Sequence, residues 1–385
     1  MPCLNEAETI ARCIEKAKIG IQKAGVRGEI LIADNGSTDG SQAIAEKLGA
    51  RVAAIPEKGY GGALIGGTRA AYGKWILMGD ADDSYDFSQA DRFVKKFQEG
   101  YELVMGCRLP SGGGTISPGA MPWKNRWIGN PILSFIGRLF FKCPAHDFHC
   151  GLRGYTRESF EAMDLQTTGM EFASEMVIKA TLRKLKITEV PVTLSKDGRS
   201  RPPHLKPWRD GWRHLRFMLL FSPRWLFLVP GTVLFVIGAD VSVALCVREI
   251  QIGKVTLNVG TLAVTCMTAI VGFQLVAFAF FTKVFAIAEG LLPDDPKLSS
   301  VLKFFTLEKG LLASLGVFIV GMVLLARAMW LWGQVHFGHL PSMEENLRRL
   351  IPAAALVVLG IQGIFSSFFM SALGLKTKNR KPPAV

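Results

Sequence analysis

Residues 76–87 read "ILMGDADDSYDF": a short apolar run, then four carboxylates, Asp80, Asp82, Asp83 and Asp86, within seven positions. An apolar run of that length closed by Gly-Asp reads as a buried strand and the turn that ends it. Asp80 and Asp82 project to the same side at such a strand end, because side chains alternate along an extended chain. Two carboxylates on one face repel each other, but together they make a seat for Mg²⁺ or Mn²⁺. Magnesium takes one or two carboxylates and fills its remaining positions with water and substrate phosphates. A solvated acidic loop is the plain alternative. A second acidic strand end, "ADNGSTDG" at 33–40, counts against it.

Working outward, "EILIAD", "RVAAIP", "KWILMGD" and "ELVMGCR" read as short buried strands. The stretches between them read as helices. "NEAETIARCIEKAKIGIQKAG" has Ile10, Ile14, Ala17 and Ile21 at helical spacing with Gly25 near its end. "STDGSQAIAEKLG" carries Ser and Asp as candidate caps, and "GGALIGGTRAAYG" is a third helix. Strands alternating with helices predict a parallel sheet, with the ligand site beyond the carboxyl ends of its strands. Asp34 and Asp80 fall at such ends, and Arg108 arrives at the same edge. Further on, "SGGGTISPGAMP" is a loop, and "WKNRWIGNPILSFIGRLFF" predicts a helix broken near Pro131. "TEVPVTLSKDGRSRPPH" predicts a last strand followed by a basic loop.

The composition of the 385 residues is uneven. Up to about residue 205 the chain reads as soluble α/β; beyond about 225 it is strongly apolar. Four segments, about 225–247, 259–281, 311–332 and 351–373, reach the length needed to span a bilayer. None is placed as a cleaved signal peptide would be. The net charge of +13 concentrates just before the first span, in "KDGRSRPPHLKPWRDGWRHLR", and after the last, in "KTKNRK". That is the positive-inside pattern, with attraction for anionic lipid, and it argues against a nucleic-acid partner. Four spans would leave both ends cytoplasmic. Within 206–224, Trp208, Trp212, Leu215 and Leu219 share one helical face, and Arg209, Arg213 and Arg216 a neighbouring one. This predicts an amphipathic helix at the membrane interface, the alternative being a helix packed on the soluble domain.

Three other features have weaker readings. "CPAHDFHC" holds Cys143, His146, His149 and Cys150, which are zinc-ligand types at a spacing that matches no common zinc module. The seven cysteines form no regular disulfide framework. "GYGGALIGG" lacks the register of a dinucleotide loop. Asp240 lies inside the first span, where a charge is a functional hypothesis by default; pairing with a polar group across the bundle is the other reading.

Taken in order, "PCLNE", "ADNGSTDGS", "GDADDS" and "MGCR" resemble the family 2 glycosyltransferases of the GT-A fold. "NRWIGNPILSFIGRLFF", "DFHCGLRGYTRE" and "EVPVTL…GRSR" are similar to the branch that acts on polyprenyl phosphates, the dolichyl- or undecaprenyl-phosphate mannosyl- and glucosyltransferases. The resemblance covers about residues 1–205; the membrane half is similar in type only. It implies an α/β GT-A catalytic domain over 1–205, the interfacial helix over 206–224, an all-α four-helix transmembrane domain over 225–375 and a basic cytoplasmic tail over 376–385.

By the same resemblance, Pro2, Asn5 and Glu6 border the nucleotide base and Asp34 binds the nucleoside. Asp80 and Asp82 are the D-x-D pair that holds Mg²⁺ or Mn²⁺, with Asp82 central to catalysis. Arg108 and Arg126 face the acceptor phosphate, and Arg199 and Arg201 in the basic loop clamp donor or acceptor phosphates. Arginine suits those roles because its guanidinium stays charged and grips phosphate oxygens bidentately. The chain also departs from the family. Its members begin with a full strand before P-x-x-N-E, so either translation starts further upstream or that strand is missing. Asp34-Asn35 stands where many relatives have Asp-Asp, and Ser84 where several have Gln. The Q-x-x-R-W signature of processive synthases is absent, "SPRW" and "KNRW" lacking its Gln, which favours a single-transfer enzyme.

The expected reaction is therefore inverting transfer of one hexose from a nucleotide sugar, of UDP-glucose or GDP-mannose type, to a polyprenyl phosphate. It would occur at the cytoplasmic face of a bacterial inner membrane, with the lipid bilayer as partner and a homo-oligomer allowed. An anionic acceptor needs no general base; it needs positioning, and the leaving diphosphate needs neutralising. Two other readings stay open: a transferase of the same fold acting on another lipid or glycan, and a lipid-linked sugar transporter or scaffold whose domain only binds.

Overall fold

The computed structural model describes residues 1–200, 207–289, 306–338 and 342–373, with isolated residues between 292 and 300. It divides into two units, Met1–Phe221 and Ser222–Val385.

In the first unit, β1 (Pro2–Cys3), β2 (Leu31–Asp34) and β3 (Arg51–Ala54) form a parallel sheet with β2 in the middle. The connections are α1 (Ile10–Ala24) and α2 (Ser41–Lys47), with α3 (Tyr60–Ala70) following β3. α1 buries Ile10, Ile14 and Ala17, as its spacing requires, and stops at Gly25, whose φ of 63° is the left-handed conformation glycine adopts without strain. The N-cap of α2 is Gly40, not the expected Ser or Asp. Asp39 and Ser41 instead accept from the backbone N–H groups of Ala7 and Glu6, tying two loops together at the carboxyl edge of the sheet.

The chain continues through β4 (Trp75–Met78), α4 (Ala90–Gln98), β5 (Leu103–Cys107), β6 (Thr115–Ile116) and α5 (Asn130–Phe141). After these come β7 (Arg153–Thr156), α6 (Arg157–Met163), α7 (Phe172–Leu182), β8 (Ile187–Pro191), β9 (Thr193–Leu194) and α8 (Pro207–Leu220). A second sheet runs in the order β4-β7-β5-β8, while β6 and β9 pair separately. β5 is buried at every position, as a continuous apolar run demands. The sheet is mainly parallel, as a Rossmann-like GT-A domain predicts, and β7 is its exception, antiparallel to both neighbours. The chain leaves β5 at the carboxyl edge and re-enters at that same edge, with Arg153 opposite both Met78 and Met105. β7 must therefore run back from it, and the preceding residues 142–152 are left beside Asp80.

Two local expectations also change. The helix before Pro131 does not break: Asn125–Gly129 form a π turn, closed by the Asn130 N–H on the Asn125 carbonyl, that feeds directly into α5 at Pro131. α8 packs on the rest of the first unit through Asp210, His214 and Met218, while Trp208 and Trp212 on another face stay exposed. Docking and amphipathicity coexist on one helix.

Between β2 and β4 no ladder joins the two sheets among the described residues. A partly open apolar cleft of about 520 Å³ lies there, lined by Met1, Ala33, Leu64, Leu77, Phe93 and Tyr155 among others.

In the second unit a π turn at Arg224–Leu228 leads into α9 (Val229–Val247). A hairpin of β10 (Ile250–Ile252) and β11 (Val255–Leu257) leads to α10 (Val259–Ala288), followed by α11 (Leu307–Gly333) and α12 (Met343–Leu373). Four helices, Arg224–Val247, Val259–Ala288, Leu307–Gly333 and Met343–Leu373, are long and apolar enough to cross a membrane. They pack through small residues, as membrane helices must where burial of apolar surface gives no drive. A Cβ on Gly272 of α10 would lie 2.3 Å from the Phe235 backbone N of α9. Asp240 stands exposed on α9 with no ion-pair partner among the described residues, so the structure does not show the cross-bundle pairing. The basic tail lies outside the described residues.

Candidate active site

The four aspartates after β4 divide by task. Asp83, at φ 65°, turns back to α1 and pairs with Arg12 at 3.0 Å and Lys16 at 2.6 Å. Asp86 caps the short turn after it, accepting from the Ser88 N–H. Only Asp80 and Asp82 remain for a ligand. Burial, and then the neighbouring Asp82 charge, push the Asp80 carboxyl up to about 6, against a hydrogen bond from the Tyr60 hydroxyl. A buried carboxylate facing another carboxylate is poorly compensated, and a cation there would relieve both costs.

Asp82 already meets one. Its Oδ2 accepts from Arg199 at 2.8 Å, and its Oδ1 from the Ser84 N–H. The same guanidinium reaches Glu6 at 3.1 Å and Asp197 at 3.2 Å. The loop carrying Arg199 is stitched to the D-x-D loop by backbone bonds: Ser195 donates to the Ser84 carbonyl and Gly198 to the Asp82 carbonyl, both at 2.9 Å. Ser84 thus serves the loop architecture through its main chain. Arg201 lies outside the described residues.

Arg108, at the end of β5, is buried and gripped by Asp147, with Nε to Oδ2 at 2.7 Å and an Nη to Oδ1 at 2.9 Å. Burial alone would push Asp147 up, but the Arg108 charge and the hydrogen bonds the carboxylate accepts together outweigh it and hold the carboxyl below the usual range. The other Nη of Arg108 donates to the Tyr85 hydroxyl, which also accepts from the Gly151 N–H. A second buried arginine, Arg153, donates to the carbonyls of Cys150 and Ala173 and shapes the same loop. Sequence reading missed Asp147, Tyr85 and Arg153. Asp147 and Arg153 lie in the quoted "DFHCGLRGYTRE" and Tyr85 in "ILMGDADDSYDF", but partners in a fold cannot be read from spacing.

Asp34 is committed to its own turn. Burial opposes its ionisation, yet bonds from Ser37, Gln42 and the Gly36 N–H hold its carboxyl below the usual range. Asn35 ties the neighbouring loop, donating to the carbonyls of Ile55 and Glu57 and accepting from the Gly59 N–H. An Asp there would lack the two donors, which explains the Asn. Asn5, at φ 60°, accepts from the Thr38 N–H and donates through its own N–H to the Ser37 hydroxyl. Pro2 lies in β1 beside Ala33. Pro2, Asn5, Glu6 and Asp34 therefore share one loop cluster, and Glu6 links it through Arg199 to Asp82.

Arg126 sits on the π turn with its guanidinium 5.3 Å from the Trp127 ring, and none of its described contacts is with Asp80 or Asp82. The four zinc-type residues disperse. His146 meets Glu189, His149 meets Ser174, Cys143 accepts from the Ala145 N–H, and Cys150 packs by Tyr85.

Known sequences resemble both parts of this chain. Residues 1–164 match the model for glycosyl transferase family 2, and residues 280–374 that for its C-terminal transmembrane region. The low-salt glycan biosynthesis hexosyltransferase Agl6 of Haloferax volcanii is 34% identical over 376 residues, 97% of this chain and 88% of that protein. The dolichyl-phosphate hexose transferase of the same organism is 31% identical over 167 residues, 43% of this chain and 69% of that one. Among solved structures, a glucosyl-3-phosphoglycerate synthase from Mycobacterium tuberculosis superposes with a TM-score of 0.44 at 23% identity, over 57% of this chain and 76% of that one.

Proposed function

The chain belongs to glycosyltransferase family 2, and from that premise we propose that it transfers one hexose from a nucleotide-diphosphate sugar to a polyprenyl phosphate, inverting the anomeric centre. Its first unit is the GT-A domain of that family, and its second supplies four helices fit to span a membrane. The observation that carries the reading is the convergence of Asp80 and Asp82 with two arginines, Arg108 and Arg199, at one sheet edge. Carboxylates for a cation and guanidinia for phosphates suit a nucleotide diphosphate and a second phosphate better than they suit a neutral acceptor.

The donor set fits a hard divalent cation: two carboxylates, one desolvated and the other already drawing a guanidinium. Asp80 and Asp82 would hold Mg²⁺ or Mn²⁺, which supplies charge neutralisation of the leaving diphosphate. Arg199, reaching Glu6 and Asp82 together, is placed to grip donor phosphates. Arg108 is fixed by Asp147 in one orientation, so little entropy is lost when it binds the acceptor phosphate. Arg126 is its candidate partner, and Arg201 that of Arg199. Pro2, Asn5, Glu6 and Asp34 form the nucleoside side, with Asp34 acting through the turn it orders. The acceptor phosphate is an anion at neutral pH, so no side chain has to take a proton from it. Direct displacement by that phosphate inverts the anomeric carbon.

A lipid acceptor is supported by exposed apolar rows on the soluble unit. Trp208 and Trp212 of α8 are 88% and 58% exposed, and Ile128, Ile132, Phe135 and Leu139 make a helical stripe through α5. Arg209 and Arg216 flank the tryptophans. Such faces suit the headgroup region, with the catalytic unit and the C-terminus on the cytoplasmic side of the cell membrane. The dolichyl-phosphate relative supports the same acceptor class.

The test is transfer by purified protein in nanodiscs holding undecaprenyl phosphate, offered a panel of labelled UDP- and GDP-hexoses. An organic-extractable product from one donor, lost with EDTA and with Asp82→Ala, is the expected result. An α-linked product from an α-linked donor would refute inversion, and transfer only to a non-phosphorylated lipid would refute the acceptor.

A further inference from the structure

The helices of the second unit pack in the order α9, α10, α12, α11, with a lesser contact between α9 and α12. α9 and α11 therefore stand at the two ends of that order. As the first and third of four consecutive spans, they run the same way through a bilayer. They are also the least covered. Only 17% of the apolar stretch of Arg224–Val247 and 11% of that of Leu307–Gly333 is buried, against 33% for Val259–Ala288 and 22% for Met343–Leu373. Each end helix carries one charge well inside it. Asp240 lies seven positions before Val247, the last residue of α9, and Arg327 six before Gly333, the last of α11, so both sit about 10 Å inside the same rim. Both side chains are exposed, and neither has a partner among the described residues. The other charges more than a turn inside these helices are Lys283, Arg348 and Arg349, and each meets a carboxylate. A lone charge facing hydrocarbon is costly, and here two of opposite sign lie at one depth.

The residues around the two charges form matching faces. On α9 the exposed Val233, Val236 and Val247 share the helical face of Asp240. On α11 the exposed Val320, Val323 and Trp330 share that of Arg327. Laid in parallel with Asp240 opposite Arg327, the helices bring Val236 to Val323, Val233 to Val320 and Val229 to Gly316, and their ends finish within one position of each other. Gly316 sharpens the match. A Cβ on Gly231, Gly272, Gly321 or Gly360 would come within 2.9 Å of the backbone of a neighbouring helix, whereas one on Gly316 would meet nothing within 4 Å. Glycines inside this bundle mark close helix contacts, and the contact that Gly316 would serve is absent within the chain.

We propose that α9 of one copy packs against α11 of the next, with Asp240 paired to Arg327, so that the chain assembles with itself inside the membrane. The occupant of each face is a second copy because the two faces agree in charge, depth and register, and stand at opposite ends of one chain. Carboxylate and guanidinium then satisfy each other out of contact with lipid, in a geometry that allows two parallel hydrogen bonds. A face that binds a different face makes a heterologous contact, which closes into a ring or runs on as an open array. Closure leaves neither charge facing hydrocarbon. The inference stands on the second unit alone and is independent of the transfer reaction.

The test uses the full 385-residue chain in mild detergent, with native mass spectrometry to count copies. The parent chain should be oligomeric. Asp240→Arg and Arg327→Asp should each weaken association by about tenfold or more, and the two together should restore it. Cross-linking in liposomes reads the same contact with both charges intact. In a Cys246→Ala background, chains carrying Val236→Cys and chains carrying Val323→Cys should form a disulfide when mixed, and neither should link to itself. A parent that is monomeric in detergent and gives no mixed link in liposomes overturns the proposal. So do oligomers that survive both single charge reversals, since another surface then holds them. Self-linking by the Val236→Cys chain alone overturns the heterologous contact in favour of a two-fold one.

Discussion

Arg199 donates to Asp82 at 2.8 Å across 117 residues of chain, and the same guanidinium holds Glu6, so one side chain closes the N-terminal loop, the D-x-D loop and its own basic loop onto a single point. It occupies the carboxylate that a divalent cation would use, so on the proposed function donor binding would draw the guanidinium from carboxylate to phosphate.

Arg199→Ala should lower kcat by about 10²–10³-fold, the usual cost of removing one charge-stabilising donor. Arg199→Lys should recover part of it, since a point charge replaces a bidentate fork. Kinetics with saturating nucleotide sugar check this. Unchanged turnover in both variants would remove Arg199 from the site.

Asp147→Asn should be costly in two ways. The partner Arg108 is buried, and breaking a buried pair by losing one member costs about 3–5 kcal/mol. Thermal unfolding should show that loss alongside reduced transfer. The double variant Arg108→Met/Asp147→Leu should recover much of the stability while remaining inactive, separating the pair's structural role from the positioning of a phosphate.

The first unit should lose stability through its buried histidines as pH falls from about 6.5 towards 4. Burial lowers His214 to about 4, against the opposing pull of Asp210 and Glu171, and His149 is lowered as well. In that window the unfolded chain binds protons the folded one refuses at the two histidines, so each raises stability with pH by up to about 1.4 kcal/mol per unit, while Asp80, raised to about 6, works in the opposite sense below that value. His214→Gln, which keeps a hydrogen-bonding group toward Ser174, should flatten the slope. Melting temperature against pH reads this directly, and a slope unaltered by the substitution would place the titration elsewhere.

Gly360→Val should disturb the membrane unit alone. A Cβ at Gly360 of α12 would lie 2.6 Å from the Phe318 backbone N of α11, and main chain cannot step aside as a side chain can. Overpacking of this kind costs about 1–3 kcal/mol. Loss of thermal stability in nanodiscs, with nucleotide-sugar binding intact, is the expected signature.

Much of the fold was already legible in the sequence. Period and polarity set the alternating strands and helices, the Gly25 stop of α1, the four apolar helices and the strand ends bearing Asp34 and Asp80, because each depends on neighbours a few positions apart. Four carboxylates in seven positions announced a charged turn, but which of them are already engaged elsewhere was decided by the folded contacts: Arg12 and Lys16 claim Asp83, and a local cap claims Asp86. The same holds for Asp147 beneath Arg108 and for the reversed β7. Each rests on a partner tens of residues away, brought near by the packing of sheets and helices. Local sequence determines which elements form and what charges they carry; only the assembled tertiary structure decides which of those charges are spent on one another and which remain for a substrate.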